Sequence, residues 1–314
     1  MARRKTYNCN TVCYRNSAIN SSLFFLLLLI SLSCTESKKE IDPEYISKIE
    51  HWQQLRVDSL KGETGYLNLA GLFWLSSETG SIGSGSSNTF VFPAKAPKNL
   101  GKFIIKNDSV WFVQHELGFV KLAGNNYSDT TLIYKEGSVD LSMRYGDLHW
   151  FIIKRGTDYG IRLKDYDHPS LASFNHIDNY PIDEKWRAKA TWEEYSVPKT
   201  VKVHNQVGME LDEEVFGALH FELGGKAYML EPLGRAEEQY FVLIYDKTSG
   251  HETYGSGRYI YVPLVDEDGI TYIDFNKAYN PPCVYTEFAT CIFPHESNRL
   301  PLKIEAGEKY SGSH

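Results

Sequence analysis

The chain has little of several things, and each shortage excludes something. Its 314 residues include only five cysteines, with no CxxC pair and no His-x-His companion beside them, so no metal site is expected. The Gly/Ser-rich stretch Gly83–Gly101 has no Gly-Lys-Ser/Thr and leads into no helix pattern, which removes a phosphate cradle and with it a nucleotide cofactor. No cofactor of any other kind is signalled. There is no G-x-S-x-G elbow, so Ser249 or Ser256 with His251 and Asp274 lacks the setting of a hydrolase triad. Positive charge is also short. Lys and Arg number 33 against 40 Asp and Glu, a net charge of −7, and Arg3, Arg4, Lys5 and Arg15 all precede the first acidic residue. Past them the balance is 29 to 40, so the body lacks the electrostatic attraction on which nucleic-acid binding rests.

Long apolar runs are equally scarce. The one candidate, Leu23–Ile30 (LFFLLLLI), falls well short of the roughly 20 residues a spanning helix needs. Behind its basic n-region it reads as a cleaved export signal over residues 1–33. Leu32-Ser33-Cys34 resembles the lipobox of bacterial lipoproteins, with Ser31 where that box prefers Leu. The resemblance implies acylation of Cys34, a polar tether over residues 34–41, and a place on the bacterial cell envelope, periplasmic or surface-exposed, with the membrane as partner through the lipid. A plain secretory signal is the alternative.

What is present is material for a core. Apolar residues make up 42% of the chain and aromatics 14%. Asp42-Pro43 starts a helix running to about Leu60, with Tyr45, Ile46, Ile49, Trp52 and Leu55 as its apolar side. From Gly65 onward, short apolar runs are broken every 8 to 12 residues by turn formers. Lys106-Asn107-Asp108-Ser109, Tyr145-Gly146-Asp147-Leu148 and Leu223-Gly224-Gly225-Lys226 are hairpin signals. The expected fold is mainly β, antiparallel sandwich or barrel units with one N-terminal helix. Residues 42–164 form the first unit, 165–183 a turn-rich crossing, and 184–314 the second. In the second unit Ala188–Tyr195 and Thr200–Val203 read as separate strands.

Polar chemistry concentrates in Thr248–Glu308. Arg258, Asp274, Asn276, Tyr279, Arg299 and Glu305 are the candidate ligand-binding residues there, since planar guanidiniums, a carboxamide, phenols and acids suit a small anionic or sugar-like ligand. Three readings stay open: a binding pocket, a hydrolase or lyase using Glu252, Asp274, Glu305 or Glu308 as acid and base, and a polar scaffold without ligand. With export, the remaining cysteines Cys283 and Cys291 are a candidate disulfide.

GLFWL (Gly71–Leu75), SGHETYGSGRY (Ser249–Tyr259), DFNKAYNPPC (Asp274–Cys283), YTEFATC (Tyr285–Cys291) and NRLPLKIEAGE (Asn298–Glu308) together resemble the domain of unknown function 1684 family of bacterial and archaeal proteins. The resemblance extends over about Ser47–Tyr310 and marks residues 248–308 as a signature segment. It implies no particular activity or cofactor.

Overall fold

The computed structural model describes residues 40–116, 120–122, 125–126, 129–137, 141–206, 208–236, 238–310 and 312. The expected export signal, Cys34 and the expected tether before Glu40 lie outside the described residues. Residues Ile41–His314 form one compact unit.

Helix α1 (Pro43–Lys61) begins where the sequence predicts. The Asp42 carboxylate accepts from the Glu44 amide at 2.9 Å and Pro43 sits in the first turn. Ile49 and Leu60 are buried, and Tyr45, Ile46, Trp52, Gln53, Arg56 and Val57 are half-buried on the same face. Leu55, expected on the apolar side, is instead exposed. Positions 49, 52, 56 and 60 follow the helical repeat of one face, and residue 55 falls outside it.

The first β unit packs two sheets face to face. One has the order β1 (Leu69–Trp74), β11 (Asp158–Asp165), β10 (Leu148–Arg155), β9 (Met143–Tyr145), β6 (Lys121–Leu122) and β7 (Asn125–Asn126). The other runs β3 (Phe90–Val91), β2 (Thr79–Gly83), β4 (Gly101–Lys106), β5 (Ser109–Gln114) and β8 (Thr130–Lys135). All pairings are antiparallel except β2 with β3. Alternate residues of the two sheets, among them Trp150, Ile161 and Leu163 against Ile82, Phe103 and Phe112, make one core. The β4–β5 turn places Asn107 at φ 51° and Asp108 at φ 53°, the left-handed pair that a two-residue hairpin demands.

In the second unit, β12 (Arg187–His204) and β13 (Glu210–Leu223) form a long hairpin within a sheet ordered β14 (Lys226–Leu230), β13, β12, β18 (Ile270–Asp274). A further sheet is ordered β15 (Gly234–Ala236), β16 (Gln239–Ile244), β17 (Arg258–Pro263). Val242, Ile244, Ile260 and Val262 bury one face of β16–β17 against Leu219, Phe221 and Phe275, while Leu243 and Tyr259 fill a smaller core on the other.

Residues 187–204, expected as two strands, are one. Pro198 lies in a register shift between Glu194 and Lys199, and such a bulge tolerates the missing N–H that reads in sequence as a strand break. The crossing segment contains a short helix, α2 (Pro169–Ser173), with His168 at its N-cap.

Candidate functional site

The signature segment is built from irregular backbone held by buried polar side chains. Arg258, at the start of β17, is fully buried, as is its ion-pair partner Asp246 at 3.2 Å. The Arg258 guanidinium also donates to the carbonyls of Ile304 at 3.0 Å, Glu308 at 3.3 Å and Ala306. Asp246 in turn accepts from the Ile304 amide at 2.7 Å and the Thr248 hydroxyl at 2.9 Å. These bonds fasten residues 304–308 onto the sheet. Burial lowers the pKa of Arg258 and the Asp246 carboxylate opposes it. Arg258 therefore faces its own carboxylate and carbonyls.

Asp274 and Asn276 have a docking role. Tyr45 of α1 donates to Asp274 at 3.0 Å, Asn276 donates to the Tyr45 hydroxyl at 2.9 Å, and the Asn276 carbonyl accepts from the Asp183 amide at 3.1 Å. Arg299 lies elsewhere, with Glu296 at 2.9 Å and its guanidinium 4.4 Å from the Tyr245 ring centre. Glu305 is exposed. Of the six candidates, Asp274 and Tyr279 line one common cavity, Asn276 sits beside Asp274, and Arg258, Arg299 and Glu305 stand apart from it.

The centre of the site is a contact between the first helix and the last signature residues. Arg56 Nε meets Glu308 at 3.2 Å. Glu308 is almost fully buried, and its second oxygen accepts from the Asn280 amide at 2.6 Å and the Tyr285 hydroxyl at 2.9 Å. Gly307, at φ 74°, makes this turn; a Cβ there would strike the carbonyl oxygen of Ala278. The Arg56 guanidinium lies 4.4 Å over the Tyr279 ring, and Tyr261 stacks with Tyr279 at 6.0 Å and 18°. Burial opposes the charge of Arg56, but Glu308 outweighs it and holds the guanidinium ionised.

A cavity of about 260 Å³ opens beside this contact, walled by Arg56, Tyr66, Phe241, Tyr259, Tyr261 and Tyr279. Among the described residues, the two Nη groups of Arg56 have no hydrogen-bond partner. Tyr261 and Tyr279 also wall a second cavity of about 410 Å³ with Trp52, Arg187, Tyr272 and Asp274. A third, of about 430 Å³, lies where the crossing segment meets Tyr285 and Lys309. Among the described residues no group of three or more His, Cys, Asp or Glu converges to hold a metal.

Arg56 is not among the residues that the sequence singles out on this helix. Its signal was present: an Arg four residues from both Trp52 and Leu60, on the buried face. The cysteine expectation is corrected as well. Cys283 and Cys291 are both free thiols, and the loop brings Cys291 Sγ to 2.9 Å from the Cys283 backbone N, where the sulfur accepts a hydrogen bond instead of forming a bridge. The hydrogen bond from Cys291, more than burial opposes it, lowers the Cys283 pKa; its partner role and burial raise that of Cys291.

Residues 172–309 match the family model described as Protein of unknown function (DUF1684), over a shorter reach than the motifs suggest. The solution NMR structure of an uncharacterized protein of Haloarcula marismortui is 27% identical, covering 46% of this chain and 82% of that one with a TM-score of 0.38. No curated protein matches.

Proposed function

We propose that the chain is an exported, lipid-anchored envelope protein that binds a small anionic or sugar-like ligand in the tyrosine-walled cavity at Arg56. The observation that carries the binding reading is the guanidinium itself: Nε is fixed by Glu308, both Nη groups lack partners among the described residues, and aromatic side chains wall the cavity beside them. An Arg held by one edge with its fork open suits an anion or a ring hydroxyl. Aromatic faces with a few placed polar groups are the usual make-up of a small-ligand pocket. Three of the four carboxylates that acid–base chemistry would use are already engaged, Glu308 by three donors, Asp274 by Tyr45 and Asn276, and Glu252 by Tyr180 and Lys303, and the fourth, Glu305, is exposed and apart from the cavity, which favours binding over hydrolysis.

The test is thermal unfolding with glucose, glucuronate and glucose 6-phosphate added in turn. A ligand at about 100 times its Kd adds about 2.7 kcal/mol of stability. At least one of these probes raises the midpoint of the native chain and not that of Arg56→Gln; a response that survives in Arg56→Gln removes the cavity from the explanation. The anchor is checked by intact mass of the mature protein. An unmodified Cys34, or a start elsewhere, overturns it.

A further inference from the structure

The Arg56 cavity has a neighbour built on the same three elements. On α1, Leu60 and Arg56 wall the Arg56 cavity, and Trp52, one turn toward the amino end, walls the larger one. On β17, Tyr259 and Tyr261 wall the first cavity, and Tyr261 and Pro263 the second. On β16, Phe241 serves the first and Gln239 the second. The register pairs Phe241 with Tyr261 and Gln239 with Pro263, so these side chains share one face of the sheet. Four helical residues rise about 6 Å and two strand residues about 7 Å, so helix and strands step from one cavity to the next together. The two cavities are successive bays of one groove between α1 and the β16–β17 face.

Tyr261 and Tyr279 stand where the bays meet. Their rings stack at 6.0 Å, Tyr279 also meets Trp52 at 6.5 Å, and paired backbone hydrogen bonds of 2.8 Å fix Tyr279 to Tyr259 of β17. Tyr261 is nevertheless 44% exposed, and Tyr272, which walls the second bay, is 40% exposed. Among the described residues these are the two exposed tyrosines, and both lie in this groove, where aromatic surface left in water forgoes the gain of burial. The Arg187 guanidinium lies 4.0 Å from the centre of the Tyr272 ring and steadies it. Around the rings, the side chains of Arg187, Lys277 and Gln239 make no hydrogen bond among the described residues. The carboxylates are engaged, Asp266 by the amides of Asp268 and Ile270, and Asp274 by Tyr45 and Asn276. The second bay thus sets two cations against two carboxylates, a balance that suits hydroxyl groups, while the first offers the open fork of Arg56.

Resting on the binding role proposed for the Arg56 cavity, we propose that its ligand is an oligosaccharide of two or more units that fills both bays. One unit occupies the Arg56 bay, and the chain continues over Tyr261 into the bay of Trp52 and Tyr272. A pyranose presents a C–H face that rests on an aromatic ring and a rim of hydroxyls that reach polar groups, and each bay supplies both. Once the first unit is held, the second binds as an intramolecular event, so the second bay multiplies the affinity of the first.

The experiment is titration calorimetry of the full chain with two series of probes, galacturonate up to its linear tetramer and glucose up to cellotetraose. The native protein is compared with Arg56→Gln, Tyr272→Ala and Tyr272→Phe, with thermal unfolding of each as the check on folding. In at least one series the trimer is expected to bind at least tenfold tighter than the monomer. Tyr272→Ala, a change on an exposed ring, is expected to lose that gain at an unchanged unfolding midpoint, Tyr272→Phe to keep it, and Arg56→Gln to weaken monomer and trimer alike. A trimer no tighter than the monomer overturns the proposal, and the single cavity still stands if monomer binding is lost in Arg56→Gln. A gain that survives in Tyr272→Ala overturns the part given to the second bay. Trimer binding that is indifferent to Arg56→Gln and lost in Tyr272→Ala confines the ligand to the larger bay and overturns this proposal together with the cavity reading, as does silence from both series.

Discussion

Replacing Asp246 by Asn removes the carboxylate that is ion-paired with the fully buried Arg258 while preserving shape. The guanidinium keeps its bonds to the carbonyls of Ile304, Ala306 and Glu308 but loses its counter-charge, and the Ile304 amide loses an anionic acceptor at 2.7 Å. Leaving one member of a buried pair unpaired costs about 3–5 kcal/mol, a large part of the roughly 5–15 kcal/mol by which a domain is stable. At about 2 °C per kcal/mol for a chain of this size, the unfolding midpoint drops by roughly 6–10 °C. Arg258→Met costs more, because three buried carbonyls lose their donor in addition to the charge imbalance. The double variant removes both charges, and its cost is smaller than the sum of the two single ones by about 1–3 kcal/mol. Urea unfolding of the four proteins, with unchanged m-values, provides the cycle. An Asp246→Asn cost below about 1 kcal/mol, or strict additivity in the double variant, refutes the view that this pair holds residues 304–308 in place.

Other predictions rest on single positions. Gly307→Ala and Gly269→Ala both place a side chain at positive φ, 74° and 73°, but only the first also meets backbone, so Gly269→Ala costs about 1–2 kcal/mol and Gly307→Ala clearly more by thermal unfolding. Equal costs would show that the close approach to Ala278 relaxes freely. Acid sensitivity has two stages. Burial lowers the His295 pKa against the pull of Glu231, and hydrogen bonds from Lys199, Tyr195 and Ser297 outweigh burial to lower that of Glu231. Both folded-state values lie below the unfolded ones, so the stability these two groups contribute is complete above about pH 6.5, starts to fall below it as His295 must take a proton, and falls again below about pH 4.5. Burial lowers the His149 pKa as well, so His295→Gln shrinks the upper stage in a pH series of urea midpoints without abolishing it; an unchanged profile contradicts the assignment. Iodoacetamide modifies Cys283, half-buried and with the lowered pKa, before the buried Cys291, as peptide mass mapping checks. The reverse order contradicts the proposed polarity of the pair.

Much of the fold was legible where its information is local. Asn107-Asp108 and Gly224-Gly225 announce their hairpins through residues that tolerate positive φ, and Asp42-Pro43 announces the helix through its first turn. What resisted reading depends on distant partners. Arg258 carries the same sequence signal whether it meets a ligand or Asp246, and only the tertiary fold decides. Pro198 reads as a break, yet a bulge opposite Val215 and Gly217 absorbs it. The significance of Arg56 depends on Glu308, 252 positions away.

The bonds joining Tyr45 to Asp274 and Asn276, and Arg56 to Glu308, span 229, 231 and 252 residues. A chain delivered from its amino end therefore presents α1 long before the surface that receives it. Trp52, Arg56 and Leu60 wait in solvent or against provisional neighbours while both β units assemble, and contacts of such long sequence separation form slowly. Since α1 supplies the Arg56 side of the cavity, the pocket comes into being only once α1 has docked. Occupancy of the pocket then reports, and rewards, a finished fold.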